Sequence, residues 1–203
     1  MKAKVIAGVP QQKKGGFHDT ESEKTFDNPA ITSQKFEILK ERFLSVNNWK
    51  KYCGKHSADF KLFDAYGNFV DKKSEIGDFI RIDIPGPGDV EAKGYDWVQI
   101  ISMFDEEDDN FAKIIITCRP SVIPDKKKHR HIAHFYSDKA SSTFIISREG
   151  NVLKTGVYGR NETPNFNTGF LNKIRNIFIT LGGIAGISKI QWKTLSDGLL
   201  DFE

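Results

Sequence analysis

Tyr95-Asp-Trp-Val-Gln-Ile-Ile-Ser-Met-Phe104 and Phe111-Ala-Lys-Ile-Ile-Ile-Thr-Cys118 decide how this chain folds. Both runs are rich in β-branched and aromatic residues, and Asp105-Glu-Glu-Asp-Asp-Asn110 separates them. Two such runs joined by a short polar segment read as a β-hairpin with an acidic tip. Ile114, Ile115 and Ile116 are consecutive, and a strand presents consecutive side chains to opposite faces. That strand is therefore expected in the middle of a sheet that is covered on both sides.

Upstream, Ile80, Ile82 and Ile84 alternate with Arg81 and Asp83, as in a half-buried strand, and Pro85-Gly-Pro-Gly88 ends it. Downstream, Ile132 to Tyr136, Thr143 to Arg148 and Val152 to Tyr158 read as three more strands. Glu149-Gly150-Asn151 is a short hairpin loop between the last two. Residues 79 to 158 are thus expected to form one mostly antiparallel sheet.

Outside this span the spacing is helical. Phe36, Leu39, Phe43 and Val46 make one stripe, with Thr32 or Ser33 as cap, a break near Asn47, and Trp49 and Cys53 continuing it to Gly54. Towards the C-terminus, Thr168 opens a stripe of Phe170 or Leu171, Ile174, Phe178 and Leu181. Ser188-Lys-Ile-Gln191 is a capping box for a last helix carrying Trp192 and Leu195. The expected fold is α+β: about six to seven mostly antiparallel strands packed on one N-terminal and two C-terminal helices. This order of elements resembles that of helix-grip ligand-binding domains. The resemblance implies a small-molecule pocket between the sheet and the helix around Phe170 to Leu181.

The chain has 203 residues, 38% hydrophobic and 28% charged, with 16 Phe and 3 Trp, enough for one substantial core. No stretch reaches the ~20 apolar residues of a membrane-spanning helix. The apolar part of the N-terminus, which stops at Pro10, is too short for a secretory signal. Cys53 and Cys118 stand far apart, as reduced thiols do, and a cytoplasmic location is the expectation. The division expected is a polar extended arm over 1–32 and a single domain over 33–203. Residues 10–32 hold few large apolar groups, so the arm is expected to lie on another subunit or partner, with Phe17 and Phe26 as anchors.

Chemistry-bearing motifs are sparse. His129, His131 and His134 are the densest set of metal-ligand types, but on a strand His134 points away from the other two, so no metal is expected. Lys126, Lys127, Lys128 and Arg130 form a basic run that can dock a protein partner or meet a phosphate backbone; the run has no aromatic interleaving, so nucleic acid is the weaker reading. Arg160, Asn161, Glu162 and Asn165 join the last strand to a helix N-terminus, where an anion or polar ligand could be held. Asp83 and Asp96 sit in apolar strand surroundings. No nucleophile motif and no cofactor motif is present, and the chemistry leans away from catalysis. Three readings follow: a binding or assembly protein that docks partners, or homo-oligomerises, through its arm and charged loops; a small-molecule-binding domain, with catalysis left open; and, more weakly, a nucleic-acid binder through the basic run at 126–130.

Overall fold

The computed structural model describes residues 2–54, 57–83, 95–124, 131–165 and 184–203. They form a seven-stranded, wholly antiparallel sheet with helices packed on one face. In chain order these are β1 (Gly16–Thr25), α1 (Pro29–Leu44), a 3-10 turn (Val46–Asn48) and α2 (Trp49–Cys53). Then come β2 (Asp59–Phe63), β3 (Phe79–Asp83), β4 (Asp96–Glu107), β5 (Phe111–Pro120), β6 (Ser141–Glu149), β7 (Val152–Glu162) and α3 (Ile184–Leu199). The strand order is β1-β7-β6-β5-β4-β3-β2, so β5 is the middle strand. Ile114 and Ile116 point into the core shared with the helices, and Ile115 points to the outer face beneath Ile6 and Val9. The three isoleucines thus do what their consecutive positions require.

The inner face carries Phe60, Ile80, Val98, Phe144 and Val157 against Phe36, Leu39, Trp49, Trp192 and Leu195 of the helices. A second outer patch, Phe79, Trp97 and Ala133, lies at the β3–β4 end. Among the described residues no helix is long and apolar enough to cross a membrane.

Several local expectations are corrected. The first helix is capped by Asn28, whose side chain accepts from the Ile31 amide at 2.9 Å, and not by Thr32 or Ser33. Pro29 takes the first helical position, where its missing N–H is no loss, and the Thr32 hydroxyl instead bonds back to the Asn28 carbonyl at 2.8 Å. The break near Asn47 is present. The Asn47 side chain accepts from the Leu62 amide at 2.8 Å and donates to the Val70 carbonyl at 2.9 Å, which ties the break to the neighbouring strand.

Residues 132–136 are not a strand. Ala133 bonds through its backbone to Trp97 and Ser121, but the Asn165 side chain takes the carbonyls of Ile132 (3.0 Å) and His134 (3.1 Å). A side chain replaces the ladder. The stripe at 168–182 and the turn at 85–88 lie outside the described residues.

The largest difference concerns the arm. Residues 16–25 are the edge strand β1 of the chain's own sheet, hydrogen-bonded along β7 from Thr25 opposite Val152 to Gly16 opposite Glu162. Backbone ladder bonds supply what its side chains lack. Phe26 packs edge-on against Phe202 at 5.9 Å, and Phe17 is half-buried at a bulge.

Candidate functional site

The site lies where β1 meets β7, on the inner face. His18, Thr20 and Ser22 alternate along β1 with outward-facing neighbours, and His18 stands opposite Gly159. The His18 ring lies nearly parallel to Trp192 of α3, with centroids 6.4 Å apart. Its Nδ1 is 2.8 Å from Glu162 Oε1, and both side chains are buried. The other Glu162 oxygen accepts from the Tyr136 hydroxyl at 3.3 Å. One carboxylate therefore bridges an imidazole and a phenol inside the protein. Because Nδ1–H is directed at the carboxylate, Nε2 is the free ring atom, and it has no hydrogen-bond partner among the described residues.

Glycine makes this possible. A Cβ at Gly159 would fall on Glu162 Oε1 and on the His18 ring. Gly159→Ala is expected to separate His18 from Glu162 while leaving the sheet folded. The check is a structure of the variant, together with disappearance of the hydrogen-bonded His18 Nδ1 proton from its NMR spectrum.

A cavity of about 20 Å³, the volume of one water molecule, sits beside Glu162 and is walled by Ile82, Val98, Phe135, Phe144 and Trp192, with His134, Tyr136 and Ser142 as polar groups. Burial raises the Tyr136 phenol well above its ordinary range, and the charges of Glu162 and Asp96 push the same way. It stays protonated and keeps donating to Glu162. Burial also pushes the His134 imidazole down to about 3. His134 Nδ1 accepts from the Tyr136 amide at 2.9 Å, so the neutral ring carries its proton on Nε2.

This sets a pH dependence. An unfolded histidine takes up a proton below about 6.5, whereas folded His134 resists protonation until about 3. Stability from this residue is therefore fully present above pH 6.5 and declines as pH falls towards 3, by at most about 1.4 kcal/mol per unit. In His134→Asn, whose Oδ1 can still accept from Tyr136, that part of the acid slope should vanish. Urea unfolding of both proteins between pH 4 and 8 checks it; parallel slopes would count against it.

The residues expected to form a ligand site are brought together in part. Glu162 faces the interior chain just described. Arg160 faces the other side, 1% exposed, with its guanidinium on Asp19 at 2.6 Å and on the carbonyls of His18, Gly159 and Lys4. Asn161 is held by residues 11–14, and Asn165 fixes the 132–134 segment. Lys126, Lys127, Lys128, His129 and Arg130 lie outside the described residues. His131 is exposed and His134 buried, so they do not share a face. Asp83 is exposed, whereas Asp96 is buried near Tyr136. Cys53 and Cys118 are both free and buried; burial pushes the Cys53 thiol up to about 12 and raises Cys118 as well. His18 and Tyr136 were not singled out from the sequence as members of one site. From the sequence the last strand ends at Tyr158; β7 instead runs on to Glu162, and Gly159 with Asn161 two residues on is the one sequence signal that could have marked the bulge.

No protein-family model matches the sequence, and no curated protein matches it significantly. Among solved structures, a hypothetical protein from Helicobacter pylori is similar over 98% of this chain and 99% of that one, at 9% identity and a TM-score of 0.52. A protein from Thermus thermophilus covers 91% of this chain and 95% of its own at 11% identity, with a TM-score of 0.42. Norcoclaurine synthase from Thalictrum flavum covers 99% of both chains at 10% identity, with a TM-score of 0.37. The fold is a seven-stranded antiparallel sheet with helices on one face, and the Helicobacter pylori protein shares it.

Proposed function

We propose that this protein binds a small, uncharged, mainly apolar molecule carrying one hydroxyl or carbonyl group, between the inner face of the sheet and α3. The supporting observation is Glu162, a carboxylate buried inside the protein and bridging His18 and Tyr136 at the wall of a cavity otherwise lined by five apolar side chains and by His134, Tyr136 and Ser142. A buried charge is costly to retain for stability alone, and such clusters gather at functional sites. The polar groups at the wall set the ligand chemistry. His134 offers a donor on Nε2, and the Tyr136 oxygen, whose proton goes to Glu162, can accept. With Glu162 already engaged on both oxygens, a second charge on the ligand has no partner there.

A space the size of one water admits such a ligand only if Trp192 and α3 move outward. Binding should therefore be slow and should perturb the Trp192 indole. Cyclohexanone, acetophenone and 2-naphthol are suitable probes in amide and indole NMR titrations. Saturating shifts are expected at Tyr136, Ser142 and Trp192, weakened about tenfold in Tyr136→Phe, the loss of roughly one hydrogen bond. Shifts confined to the outer face, or none with any probe, would sink the reading.

A further inference from the structure

Asn161 is the one non-glycine residue with a positive φ, 56°, among the described residues. In a regular strand Gly159 and Asn161 would face inward, and Arg160 and Glu162 outward. The left-handed turn at Asn161 adds a residue to β7, the register with β1 shifts between Gly16 and His18, and Glu162 comes back to the face of Gly159. Asparagine tolerates this conformation better than most residues, yet it is not its resting state.

What holds it is the segment just before β1. The amides of Lys13 and Lys14 donate to Asn161 Oδ1 at 2.7 and 3.2 Å, and Asn161 Nδ2 donates to the Gln11 carbonyl at 3.0 Å. The Asn161 amide donates to Gln12 Oε1 at 2.8 Å, and Gln12 Nε2 closes the loop on the Gly15 carbonyl at 3.0 Å. Gly15, at φ 82°, lies so close to the Glu162 backbone that a Cβ would come within 2.8 Å of its carbonyl oxygen. Both polar atoms of the Asn161 side chain and its amide are thus engaged by four consecutive residues.

We infer that Gln11–Lys14 and Asn161 form a clasp that positions Glu162: by holding Asn161 left-handed it keeps the carboxylate inside, on His18 and Tyr136. Asn161 is a positioning residue, acting on the site only through Glu162. Its importance for binding rests on the ligand reading above; its effect on Glu162 does not. Without the clasp, residues 159–162 relax towards a regular strand and Glu162 turns to the outer face.

The test uses full-length Asn161→Val, Asn161→Gly and Gln12→Ala proteins, each followed by the His18 Nδ1 proton resonance and by affinity for 2-naphthol. Asn161→Val, which disfavours the left-handed backbone, should lose the resonance with amide dispersion otherwise intact. Asn161→Gly loses the side-chain bonds but adopts that backbone freely and keeps the amide bond to Gln12, so it should keep the resonance, and Gln12→Ala should broaden it through faster exchange. Should the valine variant fail to fold, the contrast between glycine and Gln12→Ala still decides. Naphthol affinity should fall about tenfold wherever the resonance is lost. An unchanged resonance in both Asn161→Val and Gln12→Ala overturns the clasp. A lost resonance with unchanged naphthol affinity upholds the clasp and counts against the ligand reading instead.

Discussion

Trp49→Ala is expected to lower the stability of the folded chain by about 3–5 kcal/mol, the range for deleting a buried large aromatic. Trp49 is 0% exposed and follows directly on the turn that ends α1. Its ring meets Phe43, Phe60 and Phe144 at centroid distances of 6.2, 5.2 and 5.3 Å, so it joins the first helix, the far edge of the sheet and a central strand. Its indole N–H donates to the Phe43 carbonyl at 3.0 Å and satisfies one of the acceptors left over at the helix end. Alanine removes the apolar area, leaves a hole at a junction of three elements and frees that carbonyl. A domain of this kind has about 5–15 kcal/mol in total, so the variant should sit near the edge of folding. Trp49→Phe keeps most of the ring and should lose only about 1–2 kcal/mol, chiefly the hydrogen bond and some volume. Urea unfolding followed by circular dichroism measures both; a loss under about 1 kcal/mol for alanine would mean that the site collapses around the gap.

The features that made the core legible are local ones. Ile114 to Ile116 announced a strand covered on both sides because apolar residues at adjacent positions have no other use in a sheet. Phe36, Leu39 and Phe43 announced α1 by their spacing, and Gly54 the end of α2. β1 was hidden for the opposite reason. His18-Asp-Thr-Glu-Ser-Glu-Lys24 contains no large apolar side chain, and its place is fixed by ladder bonds to β7, which leave no mark on hydrophobicity. Its inner face is polar because it meets polar groups of α3: the Ser22 hydroxyl donates to Asp197 at 2.7 Å and accepts from Lys193 at 2.8 Å.

The candidate site was legible only at one end. The stretch Gly159 to Asn165 drew attention as a polar turn, and Glu162 does reach an interior site. His18 lies in a strand near the start of the chain, and Tyr136 in a segment whose apolar alternation looked like one more strand. Their meeting at Glu162 depends on a bulge and on pairing between distant strands, and no spacing rule encodes either.

Arg160→Ala is expected to cost about 3–5 kcal/mol, because it removes one member of a buried ion pair and leaves the other uncompensated. Arg160 looked in the sequence like a cation waiting for an anion. The anion it meets is Asp19, on the neighbouring strand β1, at 2.6 Å, with side chains 1% and 13% exposed. The same guanidinium donates to the carbonyls of His18, Gly159 and Lys4 at 3.1, 2.8 and 2.9 Å, so one side chain ties β1, β7 and the N-terminal segment together. Arg160→Lys keeps the charge but not the planar fork, and it should still lose about 1–3 kcal/mol as carbonyls go unpaired. Asp19→Asn alone leaves a buried guanidinium without its anion and should cost a similar amount. In Arg160→Ala/Asp19→Asn no isolated charge remains, so the double variant should be more stable than the sum of the single losses, by about 0.5–3 kcal/mol of coupling. A double-mutant cycle by urea unfolding at pH 7 reads this directly. Strict additivity would show that the pair is an accident of proximity, and that Arg160 is held by its carbonyl partners alone.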